Sequence, residues 1–254
     1  MGERRTAAHM KQRLDQMLVA RGLAESREKA RRLILAGEVL VGGQVVTRPA
    51  ALIESEGDIP LQVKTPERFV SRGGWKLERA FEIFPISAEG RVCLDVGSST
   101  GGFTDCLLQH GARRVYALDV GRGQLDWRLR RDPRVVVMEG VNARYLKAGD
   151  LPERPSLATV DVSFISLTKI LPAVTTVLDS GADLVTLIKP QFEAGRRYVE
   201  KGGVVRDPEV RAAVIESIRR FGVETLGLTW AGECESPLRG PAGNVEWLAW
   251  WKKP

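Results

Sequence analysis

One segment constrains the fold of this 254-residue chain more than any other: Val92-Cys93-Leu94-Asp95-Val96-Gly97-Ser98-Ser99-Thr100-Gly101-Gly102-Phe103-Thr104. It reads as an apolar strand, a glycine-rich turn and the opening of a helix that runs to Gln109. Glycines in such a turn let a ligand approach the backbone, and the helix N-terminus favours a carboxylate or a phosphate. The next apolar run, Val115-Tyr116-Ala117-Leu118, ends in Asp119. An acid at that place, roughly 20 residues beyond the turn, accepts hydrogen bonds from ribose hydroxyls.

Strands are expected at 91–96, 115–119, 135–139, 157–161, 183–188, 225–230 and 245–251, with helical patterns between most of them. Alternation of that kind predicts an α/β, doubly wound sheet over residues 65–254. A dinucleotide site wants G-x-G-x-x-G, so that helix amides meet a pyrophosphate. This turn instead reads D-x-G-x-x-x-G-G and resembles motif I of class I methyltransferases. That resemblance implies a Rossmann-like sheet and S-adenosylmethionine as cofactor, with its amino acid end along the loop and Asp95 suited to its ammonium. The expected cofactor contacts are Asp95, Gly97, Ser99, Thr100, Gly101, Gly102, Phe103, Asp119, Val120, Asn142 and Asp161. Gly121-Arg122-Gly123 has Asp126 where a third glycine belongs, and reads as a loop shaping the adenine side. For Asn142 a plain turn residue is an equal alternative.

Upstream the pattern differs. Met1–Met10 is charged, lacks an apolar core and reads as a disordered lead-in rather than a secretory signal. Residues 11–35 carry helical spacing (Leu14, Met17, Leu18, Leu33, Ile34), with a stop at Gly22, an N-cap at Ser26 and a second stop at Gly37. Val39-Leu40-Val41 and Val45-Val46 flank Gly42-Gly43 as a hairpin. Arg13, Arg21, Arg27, Lys29, Arg31 and Arg32 make this short unit basic. Composition alone favours a solvated helix face. The order Arg13-Leu14-Asp15, Arg21-Gly22-Leu23, Ser26-Arg27-Glu28, Ala36-Gly37-x-Val39 and Val46-x-x-Pro49 resembles the small α+β RNA-binding domain of a small-subunit ribosomal protein. The resemblance covers residues 11–64 and implies that these six cations grip RNA backbone, as cations on a rigid face contact phosphates without reading bases. Val63-Lys64-Thr65-Pro66 reads as a linker.

The net charge of +6 is consistent with a polyanionic partner, nucleic acid or an anionic surface. Apolar residues at 43% and charged residues at 28% are globular proportions. Cys93, Cys106 and Cys234 form no Cys-x-x-Cys pair, which argues against a disulfide framework or a zinc site and for a reducing cytoplasm. No metal is expected, and no apolar run reaches the roughly 20 residues that span a bilayer.

Asp161 closes the strand before Val162-Ser163-Phe164, and Lys189 closes the strand before Pro190-Gln191-Phe192. A lysine ending an apolar strand is costly unless paired or functional. The absence of Asn/Asp-Pro-Pro-aromatic disfavours an exocyclic amine as methyl acceptor, and the absence of Pro-Cys disfavours C5 of cytosine, which leaves oxygen. Lys76, Asp161, Lys189 and Glu246, in that order, resemble the Lys-Asp-Lys-Glu tetrad of FtsJ-type ribose 2′-O-methyltransferases. On this reading Lys189 orients or deprotonates a ribose hydroxyl, Asp161 holds Lys189, and Glu246 anchors both lysines. Phe164 is either a base-stacking or a core aromatic.

Ser71-Arg72-Gly73-Gly74-x-Lys76-Leu77, the 95–107 motif, Asp161–Leu167, Lys189-Pro190-Gln191-Phe192-Glu193, Gly202–Pro208 and Ser236-Pro237-x-x-Gly240-Pro241-x-Gly243-Asn244-x-Glu246 occur together. With them the chain, over nearly all of residues 11–254, resembles the TlyA family, also labelled hemolysin A. The resemblance implies ribose methylation of cytidine in ribosomal RNA and ribosomal subunits as partners. Arg211 stands where a family histidine is expected. Two rival readings are a membrane-active hemolysin and a non-catalytic ribosome-binding factor.

Overall fold

A computed structural model describes residues 11–54, 59–63, 68–240 and 242–254. The lead-in at 1–10, the linker residues Lys64–Pro66 and Pro241 lie outside them. The chain divides into two compact units, residues 1–67 and Arg68–Pro254.

In the first unit β1 (Lys11–Arg13) precedes α1 (Leu14–Ala20), so the first three residues are strand rather than helix. They pair antiparallel with β4 (Leu52–Glu54), and that long-range ladder overrides the local helical pattern. The chain turns at Gly22 (φ 68°) into α2 (Arg27–Leu35), where the Ser26 side chain accepts from the Lys29 amide as the expected cap. β2 (Val39–Val41) pairs with β3 (Gln44–Val45) across Gly42-Gly43 and with β5 (Leu61–Val63) on its other edge. The second hairpin strand therefore lies one residue earlier than the Val45-Val46 pattern predicts. Leu14, Leu18, Ala30, Ile34 and Val39 form the core, the apolar stripe of two short helices set against the hairpin.

The second unit opens with α3 (Gly73–Ile83) and builds one seven-stranded sheet. Its elements are β6 (Val92–Val96), α4 (Gly102–Gln109), β7 (Arg114–Asp119), α5 (Trp127–Arg130), β8 (Val135–Glu139), β9 (Leu157–Val160), α6 (Leu171–Val177), β10 (Asp183–Ile188), α7 (Pro190–Glu193), α8 (Pro208–Arg220), β11 (Thr229–Glu235) and β12 (Trp247–Lys252). The spatial order is β11-β12-β10-β9-β6-β7-β8, with only β12 reversed. Strands β6, β9 and β10 are buried throughout, as strands covered on both faces must be.

The expected strand at 225–230 is a correction. Residues Phe221–Thr225 extend α8 by a π turn, and β11 begins only at Thr229. Gly222 packs so closely on Trp251 that a Cβ would meet its ring at 2.2 Å, and Gly227 reverses the chain at φ 66°. Tertiary packing on Trp251 outweighs the β-rich local pattern. Among the described residues no helix is long and apolar enough to cross a membrane.

Candidate active site

Sheet register gathers the site. Val160 of β9 is level with Val96 of β6 and with Thr186 of β10. Gly97, Asp161 and Lys189 therefore leave the sheet at one edge. Because β12 is antiparallel to β10, with Trp247 opposite Ile188, Glu246 enters the sheet at that same edge. Lys76 reaches it from the first turn of α3.

The four tetrad side chains form two ion pairs. Lys76 Nζ lies 2.7 Å from Glu246 Oε2, and Glu246 is 1% exposed. Lys189 Nζ lies 2.5 Å from Asp161 Oδ1. That second contact is close but not aligned as a hydrogen bond, since Asp161 Oδ1 has no hydrogen-bonding partner. Lys189 donates instead to Ser163 Oγ at 3.0 Å, with the Phe192 ring 5.9 Å from its ammonium. Glu246 thus pairs with Lys76 alone and does not anchor both lysines. Glu246 Oε1 and Gln191 Nε2 both lie beside Gly240, 2.6 and 3.7 Å from where its Cβ would sit. Asn244 stiffens this corner, accepting from the Val205 amide and donating to the Gly203 carbonyl. Arg211 donates to the Arg206 carbonyl with its guanidinium over Trp247.

Asp161 borders a cavity of about 500 Å³. Gly97, Ser99, Asp119, Val120, Asn142 and Asp161 line it. Asp119 accepts from the Ser99 and Gly121 amides at 2.8 and 2.7 Å, which holds both flanking loops. Its oxygens keep lone pairs for a ribose diol. Asn142 caps the following turn through the Arg144 amide and also faces the cavity. Val141, Ile165 and Ile170 supply an apolar wall suited to a purine face. Glu139 accepts from the Gly123, Gln124 and Leu125 amides, which sets Gln124 on the wall. The Gly123 amide first, with Arg130 and the Leu125 amide, holds the Glu139 carboxyl down at about 2.

The remaining expected cofactor contacts do not line the cavity: Thr100 is exposed, and the others are buried behind the wall. Asp95 is fully buried, accepting from Thr104 Oγ1 at 2.7 Å and from Thr159 Oγ1 at 3.0 Å. Burial pushes its carboxyl up to about 7, against the pull of the two hydroxyls, and the Asp161 charge adds to the rise. Asp95 is therefore a brace beneath the loop, and the structure aims neither of its oxygens at the cavity. Thr100 accepts from the Asp126 amide, and Phe103 is buried in the core. Gly101 (φ 98°) sits against Leu129, where a Cβ would lie 2.2 Å from a methyl, and Gly102 sits against Ser71 and Gly74. These two glycines serve packing between protein segments. Only Gly97, whose Cβ would lie 2.3 Å from the Asp161 carbonyl, borders the cavity.

Of the basic residues in the first unit, Arg13 is committed to the buried Asp15 at 2.9 Å and Arg27 shares it at 3.4 Å. Arg21 donates to the Ile59 carbonyl. Lys29, Arg31 and Arg32 are exposed on α2. Phe164 is 91% exposed, so it is no core aromatic. Its φ of 64° is a strained conformation for a bulky side chain, worth about 1–3 kcal/mol. Cys93 and Cys106 are buried. Cys106, Glu78 and His110 cluster, with Glu78 ion-paired to Arg68. Sequence reasoning missed Ser163, Gln124 and Gln191. Their signal was position alone, directly beside a recognised motif.

This sheet, with a loop-bordered cavity and paired lysines and carboxylates at the carboxyl ends of its strands, has the architecture of a class I methyltransferase. The FtsJ-like methyltransferase family matches residues 69–253, and the S4 domain family matches residues 12–59. The chain is 47% identical to the 16S/23S rRNA (cytidine-2′-O)-methyltransferase TlyA of Mycobacterium tuberculosis, covering 94% of this chain and 88% of that protein. It is 47% identical to hemolysin A of Brachyspira hyodysenteriae, covering 93% and 98%. A solved structure designated a candidate hemolysin, from Streptococcus thermophilus, superposes with a TM-score of 0.73 at 44% identity over 97% of this chain and 90% of that one. The chain belongs to the TlyA family of FtsJ-like methyltransferases.

Proposed function

We infer that this protein transfers a methyl group from S-adenosylmethionine to a ribose 2′-hydroxyl of ribosomal RNA, on a cytidine as in its mycobacterial relative. The observation that carries the reading is Lys189 held by Asp161 and Ser163, both of which line the cavity. The residues present fit the cofactor. The cavity is of small-molecule size, Asp119 on its wall suits a ribose diol, and its apolar wall suits a base. Bound S-adenosylmethionine supplies an electrophilic methyl on its sulfonium.

The chain's own groups do the rest. Lys189 Nζ orients the acceptor hydroxyl or takes its proton. Asp161 and Ser163 fix that nitrogen, and Lys76 held by Glu246 carries positive charge beside the reacting centre. An in-line displacement needs little else, since positioning supplies much of the rate. Residues 11–64 serve as the RNA-gripping domain, with Lys29, Arg31 and Arg32 its free-facing cations, and residues 65–254 serve as the catalytic domain. The protein works where ribosomal subunits are, in the cytoplasm.

The test is transfer of labelled methyl from S-adenosylmethionine to ribosomal subunits lacking the modification. Lys189→Ala is expected to bind S-adenosylmethionine within a few-fold of wild type and to transfer at least about 100-fold more slowly. Wild-type protein that labels no ribose, or a Lys189→Ala variant that labels normally, overturns the reading.

A further inference from the structure

Methyl transfer leaves one group of reactive side chains unused. Glu78 stands in the middle of α3, Cys106 on α4, and His110 one turn further on, where its amide donates to the Cys106 carbonyl at 3.0 Å. Residues four apart on a helix share a face. Glu78 Oε2 lies 2.7 Å from His110 Nε2 and 3.7 Å from Cys106 Sγ, and the three donor atoms are all within 4.8 Å of one another. The other carboxylate oxygen, Oε1, is taken by Arg68 at 2.8 Å, which fixes the carboxylate plane and turns Oε2 to the cluster. Phe81 stacks on the imidazole with ring centres 4.2 Å apart and holds it in place. Cys106 is buried, whereas His110 keeps 30% of its side chain exposed, which gives a small ion an entry path. Glu78 follows Lys76 by two residues, so the two leave α3 on different sides and the cluster is separate from the tetrad.

We propose that Glu78, Cys106 and His110 bind a zinc ion, or a divalent ion of similar softness, that clamps α3 to α4. Thiolate, imidazole and carboxylate are the donors zinc takes, and a thiolate among them disfavours magnesium and calcium. Zinc holds sulfur at about 2.3 Å and nitrogen or oxygen at about 2.0 Å, which sets tetrahedral neighbours roughly 3–4 Å apart. The Oε2–Sγ separation already meets that spacing, and Oε2 and Nε2 need to part by only about half an ångström. The ion replaces the hydrogen bonds that Cys106 and His110 make to Glu78. The metal–sulfur bond forms as the thiol proton passes to solvent, so affinity rises with pH. Arg68 stays on Oε1 and orients the ligating carboxylate. Three protein donors leave a fourth position for water. The cysteine spacing alone gives no sign of the site, because its third donor comes from another helix.

The test titrates the full chain with cobalt(II) chloride and then zinc chloride, in the presence of a reductant that does not chelate. A thiolate bound to cobalt gives a charge-transfer band in the near ultraviolet. Wild type is expected to develop that band to one equivalent of cobalt and to lose it as zinc displaces the ion. Cys106→Ser is expected to show no band, and Cys234→Ser to keep it in full. His110→Ala is expected to weaken cobalt binding by about tenfold or more. Its side chain is partly exposed, so this variant serves if the serine variant at Cys106 fails to fold. Wild-type protein that gives no band, a band that survives in Cys106→Ser, or unchanged affinity in His110→Ala overturns the inference and leaves the three side chains as a hydrogen-bonded brace.

Discussion

The buried carboxyl of Asp95 gives the sharpest quantitative test. Its ordinary value is 3.8, and burial raises it to about 7 in the native protein. Between those limits the folded state keeps a proton that the unfolded chain releases. Native stability is therefore fully present below about pH 4 and falls by about 1.4 kcal/mol per pH unit as pH rises, reaching a penalty of about 4 kcal/mol near pH 7. Asp95→Asn removes the titration while keeping an oxygen to accept from one threonine and an amide to donate to the other. The variant should match wild type at about pH 4 and exceed it by several kcal/mol at about pH 8. Urea unfolding followed by circular dichroism across that range gives the difference directly, because the other titrating groups are common to both proteins. A stability difference that stays flat from about pH 4 to 8 refutes the reasoning, for it means the carboxyl is already ionised. The same variant tests where Asp95 acts. A brace beneath the loop predicts less than about tenfold weaker S-adenosylmethionine binding, whereas direct contact with the ammonium predicts a far larger loss.

Glu246→Ala strands the Lys76 ammonium beside a site that is 1% exposed, and should cost about 3–5 kcal/mol in thermal or urea unfolding together with most methyl transfer. Gly101→Ala places a Cβ against Leu129 and Leu125 at φ 98°, and should cost about 2–4 kcal/mol and weaken cofactor binding measured by calorimetry. In the first unit the hydrogen-bonded Arg13, with Arg27, holds the Asp15 carboxyl down at about 2. Because that value is depressed, its stabilisation is present above about pH 4 and is lost as pH falls toward 2. Asp15→Asn should therefore destabilise at neutral pH, with the difference from wild type vanishing in acid denaturation.

Much of this protein is legible in the chain itself. Apolar runs long enough for strands, separated by helical periods and a glycine turn, dictate an α/β sheet, and six of its seven strands fall where the pattern puts them. Ser26, Gly22 and Gly37 punctuate the first unit because capping and positive φ are local properties of single residues. The tetrad is legible through the ordered resemblance of Lys76, Asp161, Lys189 and Glu246 to the FtsJ-type set, with Lys189 and Glu246 also standing out as costly charges on apolar strands. What the chain alone left open was how those charges pair, since partners 170 residues apart meet only through the antiparallel return of β12. It also placed Asp95 at the ligand, because a motif reports which residues a loop needs and not whether they touch the cofactor or support the loop from behind. The meeting of Glu78 with Cys106 and His110 appears only when α3 is packed on α4. Local sequence sets backbone preference and hydrophobic period. Desolvation, and with it the ionisation and purpose of a buried polar group, depends on neighbours that only the folded chain supplies.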